Sequence, residues 1–255
     1  MRPEVIQRLI ECNTQFYQTF AAPFAATRQR IQPGVRRILA GLPAGGALLD
    51  LGCGNGEAAH ELHHQGWQGC YVGVDFSPGL LDISRRLALP ERFSFVQADL
   101  TSADWPRRLT DSAWSRQAGQ LPGHETAATG FAVFHHIPGA ARRRQLLQQI
   151  SRLLKPGSRL ILSNWQFLNS PRLAARLQPW ERIGLTAQDV EPGDFLLDWR
   201  SGGEGLRYIH HFSPDELPTL AASFGFHLRE SFNSDGANNQ LGLYQIWEYA
   251  PLPEC

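Results

Sequence analysis

Leu48-Leu49-Asp50-Leu51-Gly52-Cys53-Gly54-Asn55-Gly56 is the stretch that decides the fold. Its apolar start, interrupted by a single acid, reads as a buried strand, and the three glycines behind it force a tight turn. Without Cβ atoms at those positions a ligand can lie directly against the backbone. About one βαβ unit later, Tyr71-Val72-Gly73-Val74-Asp75 is a second apolar run ending in an acid. The Asp75 carboxylate can accept hydrogen bonds from both hydroxyls of a ribose. The two runs together describe a nucleoside site at the carboxyl ends of parallel strands.

Glycine spacing separates the kinds of nucleoside. A dinucleotide fingerprint reads Gly-x-Gly-x-x-Gly, whereas this chain has Asp-x-Gly-x-Gly-x-Gly from Asp50 to Gly56. That pattern resembles motif I of the class I S-adenosyl-L-methionine (SAM)-dependent methyltransferases. The resemblance implies a Rossmann-like α/β fold, with a seven-stranded sheet and helices on both faces. It implies SAM as the cofactor, its methionine end held by Asp50, Gly52, Gly54 and Gly56 and its ribose by Asp75. Phe93-Ser94-Phe95-Val96-Gln97-Ala98-Asp99-Leu100 is a strand with an acid at its end, and the resemblance assigns the adenine to Asp99 and Leu100, with Phe131 beside them. Ser151-Arg152-Leu153-Leu154-Lys155-Pro156-Gly157-Ser158-Arg159-Leu160-Ile161-Leu162 is a helix end, a Pro-Gly turn and a strand, the usual lead-in to the fifth strand of such a sheet.

Composition sets bounds on this reading. A chain of 255 residues with 42% hydrophobic content buries a full α/β core, so residues 1–255 are expected to form a single methyltransferase domain. Within it, residues 1–46 read as an N-terminal helical cap, 47–163 as the SAM-binding core, 164–212 as a substrate-shaping insertion after strand five, and 213–250 as the completion of the sheet. No stretch approaches the roughly 18 apolar residues of a membrane span, and the N-terminus lacks a signal-peptide core. Cys12, Cys53, Cys70 and Cys255 show no paired spacing, which speaks against a metal and for a reducing, cytoplasmic setting. Net charge is zero and Lys155 is the only lysine, so the overall balance gives no support to nucleic-acid binding. The run Arg142-Arg143-Arg144 lies on an amphipathic helical pattern, where a solvated face is expected.

Residues 4–42 carry apolar positions at helical spacing, and Ser77-Pro78 opens a helix that reads through Leu89. Residues 101–128 are rich in Ser, Thr, Ala, Gly and Gln. They read mostly as a loop or irregular connection, leaving the fourth strand indistinct before Phe131-Ala132-Val133-Phe134. Beyond Ser163 runs a long polar and aromatic excursion with Trp165, Trp180 and Trp199, of the kind that shapes a substrate pocket. Ser213-Pro214-Asp215-Glu216-Leu217 carries the N-cap chemistry of a helix start, and Phe224-Gly225-Phe226 and Leu243 to Glu248 read as the last two strands, antiparallel to the rest.

A narrower resemblance covers nearly the whole chain. The segment from Phe16 through Tyr17, Phe20, Phe24 and Thr27 to Arg28 resembles the entry motif of the tRNA wobble-uridine carboxymethyl methyltransferases. Phe134-His135-His136-Ile137, Gly193-Asp194-Phe195-Leu196-Leu197-Asp198-Trp199 and Arg207-Tyr208-Ile209-His210-His211-Phe212 are similar to further segments of that family, and Asn238-Asn239 echoes its terminal Asn. Asp198 stands where the family has Pro, Ile209 replaces a Tyr, and residues 101–128 do not match. The resemblance implies methyl transfer to a uridine side-chain carboxylate, a nucleophile that needs no general base. Arg28, Arg207 and His210 then orient the anion, and Tyr17, His135, Asp194, Trp199 and Tyr208 contact or stack the acceptor. Along an extended segment Tyr208 is expected to face away from Arg207 and His210. The family also implies a small activating partner protein. Two other readings stand beside this one: methylation of a small-molecule acid, phenol or amine, and a non-catalytic SAM-binding regulatory or partner subunit.

Overall fold

A computed structural model describes residues 1–27, 30–110 and 112–253. Five strands run parallel: β1 (Ala47–Leu51), β2 (Cys70–Asp75), β3 (Phe93–Gln97), β4 (Thr126–Phe131) and β5 (Arg159–Trp165). The insertion supplies β6 (Leu177–Gln178), β7 (Asp194–Trp199) and β8 (Gly205–His210), and the chain closes with β9 (Phe226–Ser234) and β10 (Gly242–Tyr249). The main sheet has seven strands in the order β3-β2-β1-β4-β5-β10-β9, with β10 antiparallel to both neighbours, so that of the two last strands expected to be antiparallel only β10 is reversed and β9 runs with β1–β5. This is the Rossmann-like methyltransferase sheet that the glycine motif implied. The direction of winding reverses between β1 and β4, and the crevice at their carboxyl ends is where such sheets place a ligand.

Helices α1 (Pro3–Thr19), α2 (Ala21–Ala26), α3 (Pro33–Ala40), α4 (Glu57–His64), α5 (Pro78–Arg85), α6 (Ala113–Gln117), α7 (Ala140–Leu153), α8 (Pro171–Ala174) and α9 (Glu216–Ala222) complete the chain. Period two along the strands sorts them into layers. Leu48, Tyr71, Ile161 and Tyr244 pack with Val35, Ile38, Ala59, Leu62 and Leu81 of α3, α4 and α5. Leu49, Leu51, Val72, Leu160, Leu162 and Trp247 pack with Leu146, Leu147, Ile150 and Leu217 of α7 and α9. Every residue of β1 and β2 is buried, which is why these strands read as near-continuous apolar runs. Among the described residues no helix is long and apolar enough to cross a membrane.

Residues 101–128 are more ordered than their composition suggested. A 3-10 helix over Trp105–Leu109 and then α6 lie against the sheet, burying Trp105, Leu109 and Trp114 in the α7 layer. The Trp105 indole donates to Gln149 Oε1 at 2.8 Å, which satisfies the one polar atom of a fully buried ring. The fourth strand is β4, Thr126-Ala127-Ala128-Thr129-Gly130-Phe131, and part of it falls in the segment read as loop. It has no apolar run because its neighbours fill the space: a Cβ on Gly130 would stand 2.8 Å from Leu162 Cδ2. Small residues are what this central strand can hold.

The insertion folds into a three-stranded antiparallel sheet, β6-β7-β8. It is fastened to α1, where Val5 and Leu9 pack with Ile183, Leu196 and Tyr208, and Phe16, Tyr17 and Phe20 pack with Trp199. Asn13 of α1 accepts from the Tyr208 N–H at 2.8 Å and donates to the His136 carbonyl at 3.3 Å. The N-terminal helix therefore ties the second sheet to the carboxyl edge of the first. Helix α9 starts at Glu216 as its motif predicted, although no side chain caps its first turn.

Candidate functional site

A cavity of about 350 Å³ opens over the carboxyl ends of β1, β2, β4 and β5, roofed by α1 and β8. Its floor is the glycine turn. Gly52 and Cys53 donate backbone N–H groups to the Val74 carbonyl at 2.7 and 3.0 Å, pinning the turn to β2. Gly52 and Gly54 both sit at positive φ, +69° and +55°, and nothing lies within 4 Å of where a Gly54 Cβ would stand. That open space is what a ligand pressed against the backbone requires. Gly56 has a different role: it starts α4 outside the cavity wall, and a Cβ there would meet Ser84 and Leu87.

Two acids flank the turn. Asp75 Oδ2 accepts from Gly54 N–H at 2.9 Å and Oδ1 from Ser77 N–H at 2.8 Å. Asp50 accepts from the Tyr71 hydroxyl at 2.6 Å and from Thr129 Oγ1 at 2.8 Å. Burial pushes both carboxyls up to about 6, against the pull of the groups that donate to them. Asp99 lies at the wall beyond β3, its Oδ1 accepting from Thr101 N–H and Oγ1, both at 2.8 Å. Leu100 and Phe131 line the same wall. An open glycine cradle with acceptor oxygens on either side suits the ribose and amino-acid ends of SAM.

Of the residues predicted for the acceptor, the structure brings together only part. Arg28 lies outside the described residues. Arg207, 4% exposed, lies in the wall, its guanidinium carbon 4.8 Å from the Trp165 ring centre, 5.4 Å from Phe16 and 5.5 Å from Trp199. Tyr17, His135 and His136 are in the wall as well. His136 Nδ1 faces the Tyr208 carbonyl at 3.0 Å, so it carries the proton, and in the neutral ring Nε2 accepts from the Tyr17 hydroxyl at 2.9 Å. His135 Nδ1 accepts from Trp165 N–H at 3.3 Å.

His210 is not in that wall, and the expected facing of β8 is corrected. Side chains alternate with period two, so Tyr208 and His210 share one face and Arg207 takes the other. The Tyr208 hydroxyl and His210 Nδ1 meet on the same Asp194 oxygen at 2.8 and 2.6 Å, and His210 Nε2 reaches Glu216 Oε1 at 2.8 Å. Burial lowers the His210 pKa, but these two carboxylates outweigh it and the net shift is upward. Arg143 borders the same group, its Nη2 2.9 Å from Glu191 Oε2 and 3.8 Å from Glu216 Oε1; it is 1% exposed, so the arginine run does not lie wholly on a solvated face. Asp194, Tyr208 and His210 thus form a buried strut behind the cavity. Trp199 likewise stands behind Arg207, packed on Phe16 and Phe24.

Several wall residues have no local signal in the sequence. Asn13, Asn164 and Asp235 reach the cavity from three separate segments. Near the last strand Asp235, rather than Asn238 or Asn239, enters the wall, accepting from Gly34 N–H at 3.0 Å and from the Tyr244 hydroxyl at 2.6 Å.

The family described as "Methyltransferase domain" matches residues 24–231. Over 154 residues the chain is 32% identical to the tRNA (carboxymethyluridine(34)-5-O)-methyltransferase ALKBH8 of Macaca fascicularis, a match covering 59% of this chain and 19% of that protein. A tRNA (carboxymethyluridine(34)-5-O)-methyltransferase of Arabidopsis thaliana is 26% identical over 163 residues, 64% of this chain and 34% of that one. The chain therefore spans a minor part of the length of these curated relatives. Among solved structures, a methyltransferase of Haloferax volcanii in complex with the Trm112 methyltransferase activator has a TM-score of 0.63 at 17% identity, covering 95% of this chain and 99% of that one. A SAM-dependent methyltransferase of Methanosarcina mazei has a TM-score of 0.59 at 20% identity, covering 87% and 99%.

Proposed function

The chain belongs to the methyltransferase-domain family and is a SAM-dependent enzyme, and from that premise we propose that it methylates a carboxylate on a modified wobble uridine of tRNA. Membership of an enzyme family sets aside the non-catalytic subunit. The observation that carries the proposal is Arg207, a guanidinium held among three aromatic rings in the cavity wall. Buried in low dielectric, such a cation orients an anion strongly, and its planar fork matches a carboxylate. The similarity to carboxymethyluridine methyltransferases points to the same acceptor. Zero net charge favours a second reading, a free carboxylic acid in the same cavity. A small activating protein is part of the tRNA reading, prompted by the Haloferax complex.

In this reading Asp75 and Asp50 hold the ribose and amino-acid ends of SAM, Gly54 lets it lie on the backbone while Gly52 clears Val133, and Asp99, Leu100 and Phe131 enclose its adenine. SAM supplies an electrophilic methyl on a sulfonium. The acceptor carboxylate forms the new C–O bond as the S–C bond breaks and its electron pair stays on sulfur, so no proton moves and no base is needed. The protein contributes alignment and water exclusion. Arg207 sets the direction of the carboxylate, Trp165 and Phe16 fix Arg207, and Tyr17 with His136 closes the roof.

The experiment is transfer of labelled methyl from SAM into total tRNA and, separately, into small-molecule extracts of the native host. Label in a tRNA nucleoside, released by mild base as expected of an ester, supports the proposal. Label confined to the small-molecule fraction means the motifs record ancestry and the acceptor is a small-molecule acid, phenol or amine.

pH supplies another expected result. Ionised Asp75 accepts from ribose hydroxyls, and protonation removes that capacity. SAM affinity should therefore fall as pH drops below about 6, by up to about tenfold per unit. Stability of the unliganded protein should move the other way. Both carboxyls are raised above their ordinary 3.8, so their stabilising contribution is full below that value and is lost as pH rises through about 6. Calorimetric titration of SAM at pH 5 and 7 checks the first trend. A flat affinity would mean that no ionised Asp75 is needed.

A further inference from the structure

Asn164 lies near the carboxyl end of β5 in the cavity wall, 1% exposed, between Ser163 and Trp165. Neither its Oδ1 nor its Nδ2 has a hydrogen-bond partner among the described residues. Of the polar groups around it, Gln245 Oε1 on β10 is likewise without a partner among the described residues, and the others are served. Ser163 Oγ accepts from Ala132 N–H at 3.1 Å, Trp165 N–H donates to His135, and Gln166 Nε2 donates to the Phe212 carbonyl at 3.1 Å. Period two puts Asn164 on the same face as Leu160 and Leu162, where an apolar side chain of the same size would raise no such problem. An amide buried with both ends unpaired carries a desolvation penalty at each, and native structures seldom leave one without a partner.

We infer that Asn164 reads the acceptor, pairing both ends of its carboxamide with an imide edge of a pyrimidine, where an N–H donor stands beside a carbonyl acceptor. This rests on the reading that the Arg207 wall receives the acceptor. A carboxamide offers one acceptor and one donor side by side, the complement of the uracil N3–H and O4 pair, and unstacked bases are commonly recognised along that edge. Alternation points Asn164 and Trp165 to opposite sides of β5, yet both line the one cavity with Arg207, which is stacked on the Trp165 ring. Position 5 of uracil adjoins O4, so one ring presents a C5-linked carboxylate and the imide edge on adjacent sides. Arg207 takes the first and Asn164 the second. A carboxylic acid without the edge satisfies Arg207 but leaves the amide unpaired, and a site built to pair a polar group rejects the analogue that lacks it.

The test is calorimetric binding to the full chain with S-adenosylhomocysteine present, using three probes: uracil-5-acetic acid, its 3-methyl derivative and phenylacetic acid. The unsubstituted protein should prefer uracil-5-acetic acid by at least about tenfold over the other two. Asn164→Leu should abolish that preference while holding S-adenosylhomocysteine affinity within about twofold. Should the variant fold poorly, the Asn164 side-chain amide resonances of the unsubstituted protein give the answer. They should shift with uracil-5-acetic acid and stay in place with phenylacetic acid. Absence of any preference, failure to bind the uracil acid, or a preference that survives in Asn164→Leu overturns the inference and assigns the amide to an internal water. A preference that persists while Arg207→Met binds the uracil acid undiminished leaves Asn164 standing and brings down the carboxylate reading instead.

Discussion

Arg207→Ala is expected to lower methyl transfer by about 10²–10³-fold while leaving SAM affinity within about twofold, the loss typical of removing one preorganised donor from an anion site. The guanidinium is walled by Phe16, Trp165 and Trp199, so its direction is set before any acceptor arrives. Its contacts with the rings also stabilise the fold, and losing them is expected to cost on the order of 1–2 kcal/mol. Arg207→Met separates the two roles, because it fills much of the same volume without charge. Turnover should fall nearly as far as in the alanine variant, with a smaller drop in melting temperature. Arg207→Lys should recover part of the activity, since lysine keeps the charge but neither the fork nor the stacking. A methionine variant with normal turnover and a lowered melting temperature would show that Arg207 is structural.

The glycine turn and the two acids beside it were legible because their determinants are local. A strand, its glycine turn and the acid that closes the next strand lie within one βαβ unit, and parallel pairing brings Asp50 opposite Gly73 and Thr129. The rest of the cavity wall was legible only in some of its members, not in its arrangement. Arg207, Tyr17 and His135 were named, but what they share is set by α1 crossing onto a second sheet that no local pattern announced. Simple period-two arithmetic already separates Arg207 from His210, so that error lay in the reading rather than in the chain. β4 escaped because its signal is the absence of bulk, imposed by Leu162 and the packed helices, and small residues look the same in a loop. Trp105 and Trp114 lay in a polar stretch whose average hid two buried rings.

Asp75→Ala should weaken SAM binding by about 1–3 kcal/mol, roughly five- to 150-fold, the usual range for losing hydrogen bonds to a charged acceptor. The residue works in two directions. Toward the protein it accepts from Gly54 and Ser77 N–H, which locks the glycine turn and the start of α5 to the end of β2. Toward the cavity its remaining lone pairs face the ribose in the proposed reading. Alanine removes both, so a fall in affinity alone does not assign the second role. Asp75→Asn does, because an amide oxygen still accepts from one backbone donor while the side chain loses its charge and its titration. In that variant SAM affinity should be reduced and should no longer vary between pH 5 and 7, whereas the unsubstituted protein binds more weakly at the lower pH. A reduced but still pH-dependent affinity would transfer the titration to Asp50, whose carboxyl is raised to the same value by the same burial. Unchanged affinity in Asp75→Ala would remove Asp75 from the cofactor site and leave it only its hold on the turn.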